Sequence, residues 1–194
     1  MKRFQNVVLV IATLLLVSAC ASSAPRHMMF KEDPTSAISS VKPESGKAAL
    51  VVGRSTSFGG AIEFDTYLDK VMIGVTKWKS YFFKTDIAPG VHYVISKAEN
   101  MEPVKINFEP DRVYYIHQIP RMGVWKARIS IALLTQQELI SVCDNSCRLL
   151  IYDTKNVGDN LSDDDFKKAV DDYEKDVKEG QHKEYLDYKG MPVK

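Results

Sequence analysis

The side chains that could do chemistry in this chain are three cysteines, four histidines and a few grouped carboxylates. Cys20 follows Val17-Ser18-Ala19. Small residues such as Ser18 and Ala19 suit a peptidase cleavage point. Cys143 and Cys147 are an even pair four residues apart, and in an oxidising compartment they are expected to form a disulfide. Two free thiols are the alternative. A zinc site lacks the further ligands that would complete a tetrahedron. His27, His92, His117 and His182 show no metal-type spacing with one another or with a cysteine. His117 shares strand parity with Val113 and Tyr115 and reads as a structural histidine, although a paired His92/His117 site is open if their strands are neighbours.

Two further stretches look reactive and fail on detail. Gly53 to Gly60 has the glycines of a phosphate loop but neither the Lys-Ser/Thr ending nor a helical pattern after it, and it misses the spacing of a hydrolase nucleophile turn. It reads as a turn between strands. Asp153 to Asp165 is acidic, yet Lys155 and Val157 stand where a calcium loop needs oxygen ligands. No metal and no cofactor is implied.

The segment before Cys20 explains its chemistry. Lys2 and Arg3 give a cationic start, and Val7 to Val17 is an apolar run interrupted only by Thr13. This is the order of a secretory signal peptide, and the run is shorter than the ~20 residues of a spanning helix. Ending on Ser18-Ala19-Cys20, it resembles the lipobox of bacterial lipoproteins. The resemblance implies cleavage before Cys20 and lipidation of its thiol. Each buried CH2 adds about 0.8 kcal/mol to membrane attachment, so two or three chains hold a protein essentially permanently. Ala21 and Ser22 follow, with no Asp at the sorting position, which in that class implies the outer membrane of a diderm cell, facing the periplasm. A retained N-terminal helix is the alternative.

Removing residues 1–19 leaves 175 of the 194 residues, enough for one domain with appendages. The precursor's net charge of +1 becomes −1 once Lys2 and Arg3 are gone. Such a balance argues against a general nucleic-acid binder. Residues 20–45, with Pro25, Pro34 and Pro43, read as the lipidated cysteine and a flexible tether. The His27-Met28-Met29-Phe30 patch either docks on the domain or forms a local cluster.

From Lys47 onward short β-rich runs alternate. Phe64 and Leu68 oppose Asp65 and Asp69, and Val91, Tyr93, Ile95, then Val104, Ile106, Phe108, then Val113, Tyr115, His117 repeat the period of two. A last strand is expected over Trp125 to Leu133. About eight strands joined by short turns predict a mainly β fold, a small antiparallel β-sandwich, over residues 46–152. Thr135 and Glu138 form a capping box for a short helix ending near Asn145, and Arg148 to Tyr152 is extended. Residues 153–194 read as a linker and a C-terminal amphipathic helix. Ser162 caps that helix, and Phe166, Ala169, Val170, Tyr173 and Val177 form its stripe. The stripe either packs on the sandwich or docks another protein.

Aromatic residues are the remaining functional candidates. Trp78, Tyr81, Phe83 and Tyr114 are expected to offer a surface for glycan stacking or protein contact, with packing under the C-terminal helix as the alternative.

The span from Lys47 to Leu134 resembles a bacterial lipoprotein domain family of unknown function related to PEGA-type domains. Phe64 to Asp69, Val71 to Gly74, Ser80 to Phe83, Ala88 to His92 and Tyr114 to Gln118 carry the resemblance in order. Asp69-Lys70-Val71 stands where the family usually has Gly in the hairpin. The resemblance implies a small envelope β-sandwich without catalytic residues. The expectation is therefore a non-enzymatic, membrane-anchored lipoprotein that binds a protein or glycan partner in the envelope. A small hydrolase using His92 and His117, or a periplasmic sensor or regulatory subunit, is the alternative.

Overall fold

The computed structural model describes residues 24–31, 37–123, 127–143, 146–182 and 187–193. Cys20 and the segment before it lie outside the described residues, as do Trp125, Asn145 and residues 32–36 of the expected tether. The strands are β1 (Met28–Phe30), β2 (Ala48–Arg54), β3 (Phe64–Leu68), β4 (Val71–Thr76), β5 (Ser80–Ile87), β6 (Gly90–Lys97), β7 (Met101–Phe108), β8 (Arg112–Met122), β9 (Ala127–Leu134), β10 (Arg148–Tyr152) and β11 (Met191–Pro192). The helices are α1 (Gln136–Cys143) and α2 (Asp163–Lys178), with a 3-10 turn at Ile38–Ser40.

The fold is mainly β and consists of two packed sheets. One runs β1-β10-β5-β2-β8-β11, with β9 also on β8; the other runs β4-β3-β6-β7. Between them lie Leu50, Val52, Phe82, Val94, Val104, Ile106, Phe108, Tyr114 and Ile116. The far face of the larger sheet is covered too. Ala49, Val51, Tyr81, Val113 and Tyr115 pack under Leu139 and Cys143 of α1 and under Ile38 and Val41. Both parities of β2 are therefore buried, which is why Ala48 to Gly53 reads as a continuous apolar run instead of an alternation.

The sandwich is not antiparallel throughout. β2 pairs parallel with β8, and β10 pairs parallel with β5. The chain leaves the larger sheet for β3 and β4 and again for β6 and β7. It returns along the free edge of β2 in the direction of β2, and such a parallel return requires an intervening excursion. The β3–β4 hairpin turns at Asp69, whose φ of 53° supplies the left-handed conformation a glycine would otherwise provide. Its carboxylate accepts from the Tyr93 backbone N–H at 3.0 Å. The even-odd pattern of β3 breaks at a register shift between Thr66 and Tyr67, so Thr66 and Tyr67 are both buried. On β4, a Cβ at Gly74 would stand 2.7 Å from the Phe82 ring, so only glycine lets the two sheets close at that point.

Both helix caps form. Glu138 accepts from the Thr135 N–H at 2.7 Å, and the Ser162 hydroxyl accepts from the Asp165 N–H at 3.1 Å. α2 lies on the outer face of the smaller sheet. Ala169 and Tyr173 are buried, Phe166 and Tyr173 set their rings edge-on to Tyr93, and Glu174 accepts from Tyr93 Oη at 2.5 Å and pairs with Lys105 at 2.7 Å. The stripe thus packs on the sandwich. The chain beyond it is integrated as well: Tyr188 Oη donates to Leu134 O at 2.8 Å, and β11 pairs with β8.

The expected tether is largely structured where it is described. β1 adds to β10, Arg148 stacks on Phe30 at 3.4 Å, and Arg26 binds Glu63 and Asp65 at 2.6 and 3.1 Å. Ile38 and Val41 enter the second core. The apolar patch at Met28 to Phe30 is thus a docking segment.

Cys143 and Cys147 form a disulfide with Cα atoms 5.3 Å apart, tying the end of α1 to the start of β10. Closing so small a loop stabilises by roughly 2 kcal/mol in the chain-entropy model. Reduction, or Cys147→Ser, is expected to lower the denaturant-extrapolated stability by about that amount. No change between oxidised and reduced protein would show that α1 is held by packing alone.

Candidate functional site

Of the residues singled out from the sequence, Cys143 and Cys147 are brought together in the disulfide, and the histidines and aromatics do not form one site. His92 and His117 do not form a paired site. β6 and β8 belong to different sheets, and His117 has the parity of Tyr115, facing α1 and turned away from the smaller sheet. His92 is engaged locally, with Nδ1 2.8 Å from Asp69 Oδ2 and Nε2 3.0 Å from Ala88 O. His117 Nε2 lies 3.0 Å from Ser55 Oγ. Burial lowers its pKa, so the ring is neutral at pH 7 and able to accept a proton. A nucleophile-base pair also needs a group orienting the base, and among the described residues His117 makes no second hydrogen bond.

The aromatic surface is corrected in the same way. Tyr114 is fully buried between the sheets, where its hydroxyl accepts from the Glu109 N–H at 2.8 Å and donates to Asn107 O at 3.0 Å. Tyr81 is buried and Phe83 half-buried under α1. Covering the larger sheet on both faces leaves neither parity free at Tyr81, Phe83 and Tyr114. Trp78 alone of the four is exposed, in the turn after β4.

The site the fold does build is a cleft of about 560 Å³ between the β6–β7 hairpin, β9 and the C-terminal half of α2. That volume lies in the range of small-molecule sites. Glu102, Arg128, Lys168, Asp172, Asp176 and His182 are among its lining residues. His182 stacks on Tyr173 with ring centres 5.2 Å apart, and its Nε2 is 3.8 Å from Asp176 Oδ2. Asn100 bridges the two sheets here. Its side chain accepts from the Ile129 N–H at 2.8 Å and donates to Ile129 O at 3.0 Å, while the same amide nitrogen reaches Glu102 Oε2 at 3.4 Å. Asn100 thus ties β9, one residue after Arg128, to the start of β7, and Arg128 and Glu102 both line the cleft.

Glu102 is the anomaly in this cleft. It continues the parity of Val104, Ile106 and Phe108, the core-facing residues of β7. Burial pushes its carboxyl above the ordinary value; His182 pulls the other way, Asp176 adds to the rise and Arg128 opposes it. The folded chain therefore keeps the Glu102 proton to higher pH than the unfolded chain. Stability falls as pH rises from the ordinary carboxyl value through the raised folded one, and the cost persists at neutral pH. Glu102→Gln is expected to raise the thermal midpoint at neutral pH and to leave it nearly unchanged in acid, where both states are protonated. An equal shift at both pH values would trace the effect to packing and not to charge.

Sequence reasoning placed Arg128 only within the expected last strand and passed over Glu102 and Asn100. A carboxylate continuing a core parity was the available signal. Among the described residues no group of three His, Cys, Asp or Glu could hold a metal ion, and no helix is long and apolar enough to cross a membrane.

An uncharacterized protein of Haemophilus influenzae is 28% identical to this chain over 130 residues, which cover 66% of the chain and 75% of the relative. No protein-family model and no solved structure matches the chain.

Proposed function

We propose that this protein is a non-enzymatic lipoprotein of the cell envelope. It is anchored through Cys20 to the outer membrane, faces the periplasm, and binds a protein or glycan partner through the α2–β7 cleft. The observation that carries the binding half is the cleft itself, lined by charged residues of both signs, with Glu102 half-buried on the core-facing parity of β7. The anchoring half rests on the order cationic start, apolar run, Ser18-Ala19-Cys20.

The docking of residues 24–31 on the domain gives this reading a geometry. Four residue steps separate Cys20 from Ala24, at most roughly 14 Å of chain. Arg26 is fixed on Asp65, which pairs in register with Lys97 on the cleft rim. The domain would then sit against the membrane with the cleft near its anchored side. Arg26→Glu sets a carboxylate against Glu63 and Asp65. Losing a partly exposed ion pair costs about 1 kcal/mol, or roughly fivefold more local opening. Trypsin is therefore expected to cut at Lys31 several-fold faster in the variant. An unchanged rate would show that β1 holds the segment alone.

The deciding experiment compares wild type with Cys20→Ala by intact mass and membrane fractionation, and places a photocrosslinker at Lys168 in intact envelopes. Acyl mass and outer-membrane attachment lost in Cys20→Ala, with one dominant crosslinked species, are expected. An unmodified soluble protein would overturn the anchor, and no crosslink at the cleft would overturn the binding role.

A further inference from the structure

The charges of the cleft are not equivalent. Lys97 pairs with Asp165, Lys168 with Asp172, Lys175 with Glu179, and His182 lies by Asp176. Glu102 and Arg128 join no ion pair among the described residues, although both line the cleft. Glu102 has one oxygen near the Asn100 amide and the other without a hydrogen-bond partner among those residues.

Arg128 carries a second anomaly. It stands directly opposite Arg121 in the β8–β9 register. Directly opposed like charges destabilise a strand pair, and a bound anion would relieve that. The Arg121 Nε donates to Ser130 Oγ at 3.0 Å, and no carboxylate among the described residues pairs with either guanidinium.

We propose that the cleft binds a small zwitterion, with its ammonium group against Glu102 and its oxyanion against Arg128. The inference rests on the cleft being the binding site and names the chemistry it selects. Asn100 ties the two strands that carry these charges together, through the Ile129 backbone on one side and the Glu102 carboxylate on the other. A guanidinium holds a carboxylate or a phosphate in the same bidentate way. Two sources therefore present the required pair of charges: a phosphoethanolamine lipid headgroup, and a peptide with a free amine and a free carboxylate.

The test titrates the full chain, purified in a non-ionic detergent, with glycerophosphoethanolamine and with alanyl-alanine by calorimetry. Ethanolamine and glycerophosphoglycerol serve as single-charge controls. At least one zwitterion is expected to bind, with each control at least about tenfold weaker, as is usual when one charge-assisted hydrogen bond is lost. Glu102→Gln and Arg128→Gln should each weaken that zwitterion by a similar factor, and Arg128→Lys should recover part of the loss. Circular dichroism confirms that the variants fold, and exposed Arg128 gives a variant independent of core packing. Preference for glycerophosphoethanolamine identifies the headgroup source, and preference for alanyl-alanine the peptide source. Binding by neither zwitterion, controls as tight as zwitterions, or a variant that binds like wild type would overturn the proposal. A crosslinked partner at Lys168 alongside any of these results would leave the cleft as a binding site and remove only the zwitterion.

Discussion

Gln118→Leu is expected to lower the stability of this domain by about 3–5 kcal/mol, read as a fall in the urea midpoint. Gln118 is fully buried on β8 and reaches across the sandwich to three strands of the other sheet. Its Nε2 donates to Thr66 Oγ1 at 2.9 Å and Ser96 Oγ at 2.8 Å, and its Oε1 accepts from the Thr76 hydroxyl. Leucine conserves much of the volume but leaves three buried hydroxyls without their partner. Each such group costs roughly 1–3 kcal/mol, with the low end applying where a hydroxyl can turn to a backbone carbonyl. The companion variant discriminates between polar pairing and shape. Adding Thr66→Val, Thr76→Val and Ser96→Ala removes the orphaned groups as well, and most of the loss should return, because replacing every partner by apolar groups is close to neutral. If the single substitution proved harmless, the network would be incidental to the packing of the sheets. The network also matters to the cleft. Ser96 immediately precedes Lys97 on its rim and pairs in register with Glu102, so loosening it should weaken cleft binding beyond what a stability loss alone predicts.

The mainly β fold was legible in the sequence because most strands keep one parity apolar, as Val104, Ile106 and Phe108 do. Two-residue periodicity survives single irregularities. Both capping boxes and the α2 stripe were legible for a similar reason, since they are local patterns of three or four residues. What escaped is non-local. Nothing in Ala48 to Gly53 states that β8 will return on its free edge in parallel, because strand direction is decided by where the intervening hairpins lie. The same kind of omission misplaced Tyr81 and Phe83, because the layer that α1 lays over the far face of the larger sheet was not readable. Tyr114 has the opposite parity and is buried by the smaller sheet. Docking of Met28 to Phe30 depends on a partner edge more than a hundred residues away. At the cleft, Glu102 was visible as a polar residue in an apolar parity, while its proximity to Arg128 required Asn100 to bridge two sheets.

Arg54→Met is the second substitution expected to have a large effect, and it tests a different principle. Arg54 is completely buried at the end of β2 with no carboxylate beside it. Its guanidinium donates to Ile62 O at 2.6 Å, Phe58 O at 3.0 Å and Gly59 O at 2.8 Å, and lies 4.1 Å above the Phe64 ring. Nε has no partner among the described residues. Burial lowers its pKa to about 10, so at neutral pH the group remains charged and the desolvation is a standing cost. Replacing a buried ion with an apolar side chain of similar length is often neutral or stabilising when the ion's partners leave with it. Here they stay. Three carbonyls of the loop from Ser55 to Glu63 converge on one fork-shaped donor, and methionine offers them nothing. We expect Arg54→Met to cost about 2–4 kcal/mol, because the carbonyls lose charge-assisted bonds worth 1.5–3 kcal/mol each while regaining water at the exposed loop. Arg54→Lys should recover little, since a single ammonium cannot span carbonyls that the planar guanidinium bridges. Amide exchange separates this account from simple core loss. The Ile62 N–H, bonded to Gly59 O at 2.8 Å, should exchange faster in both variants, whereas amides of α1 should respond only to global unfolding. A Met variant as stable as wild type, with Ile62 still protected, would mean that the loop closes on its own backbone bonds and that the buried charge serves some purpose other than stability.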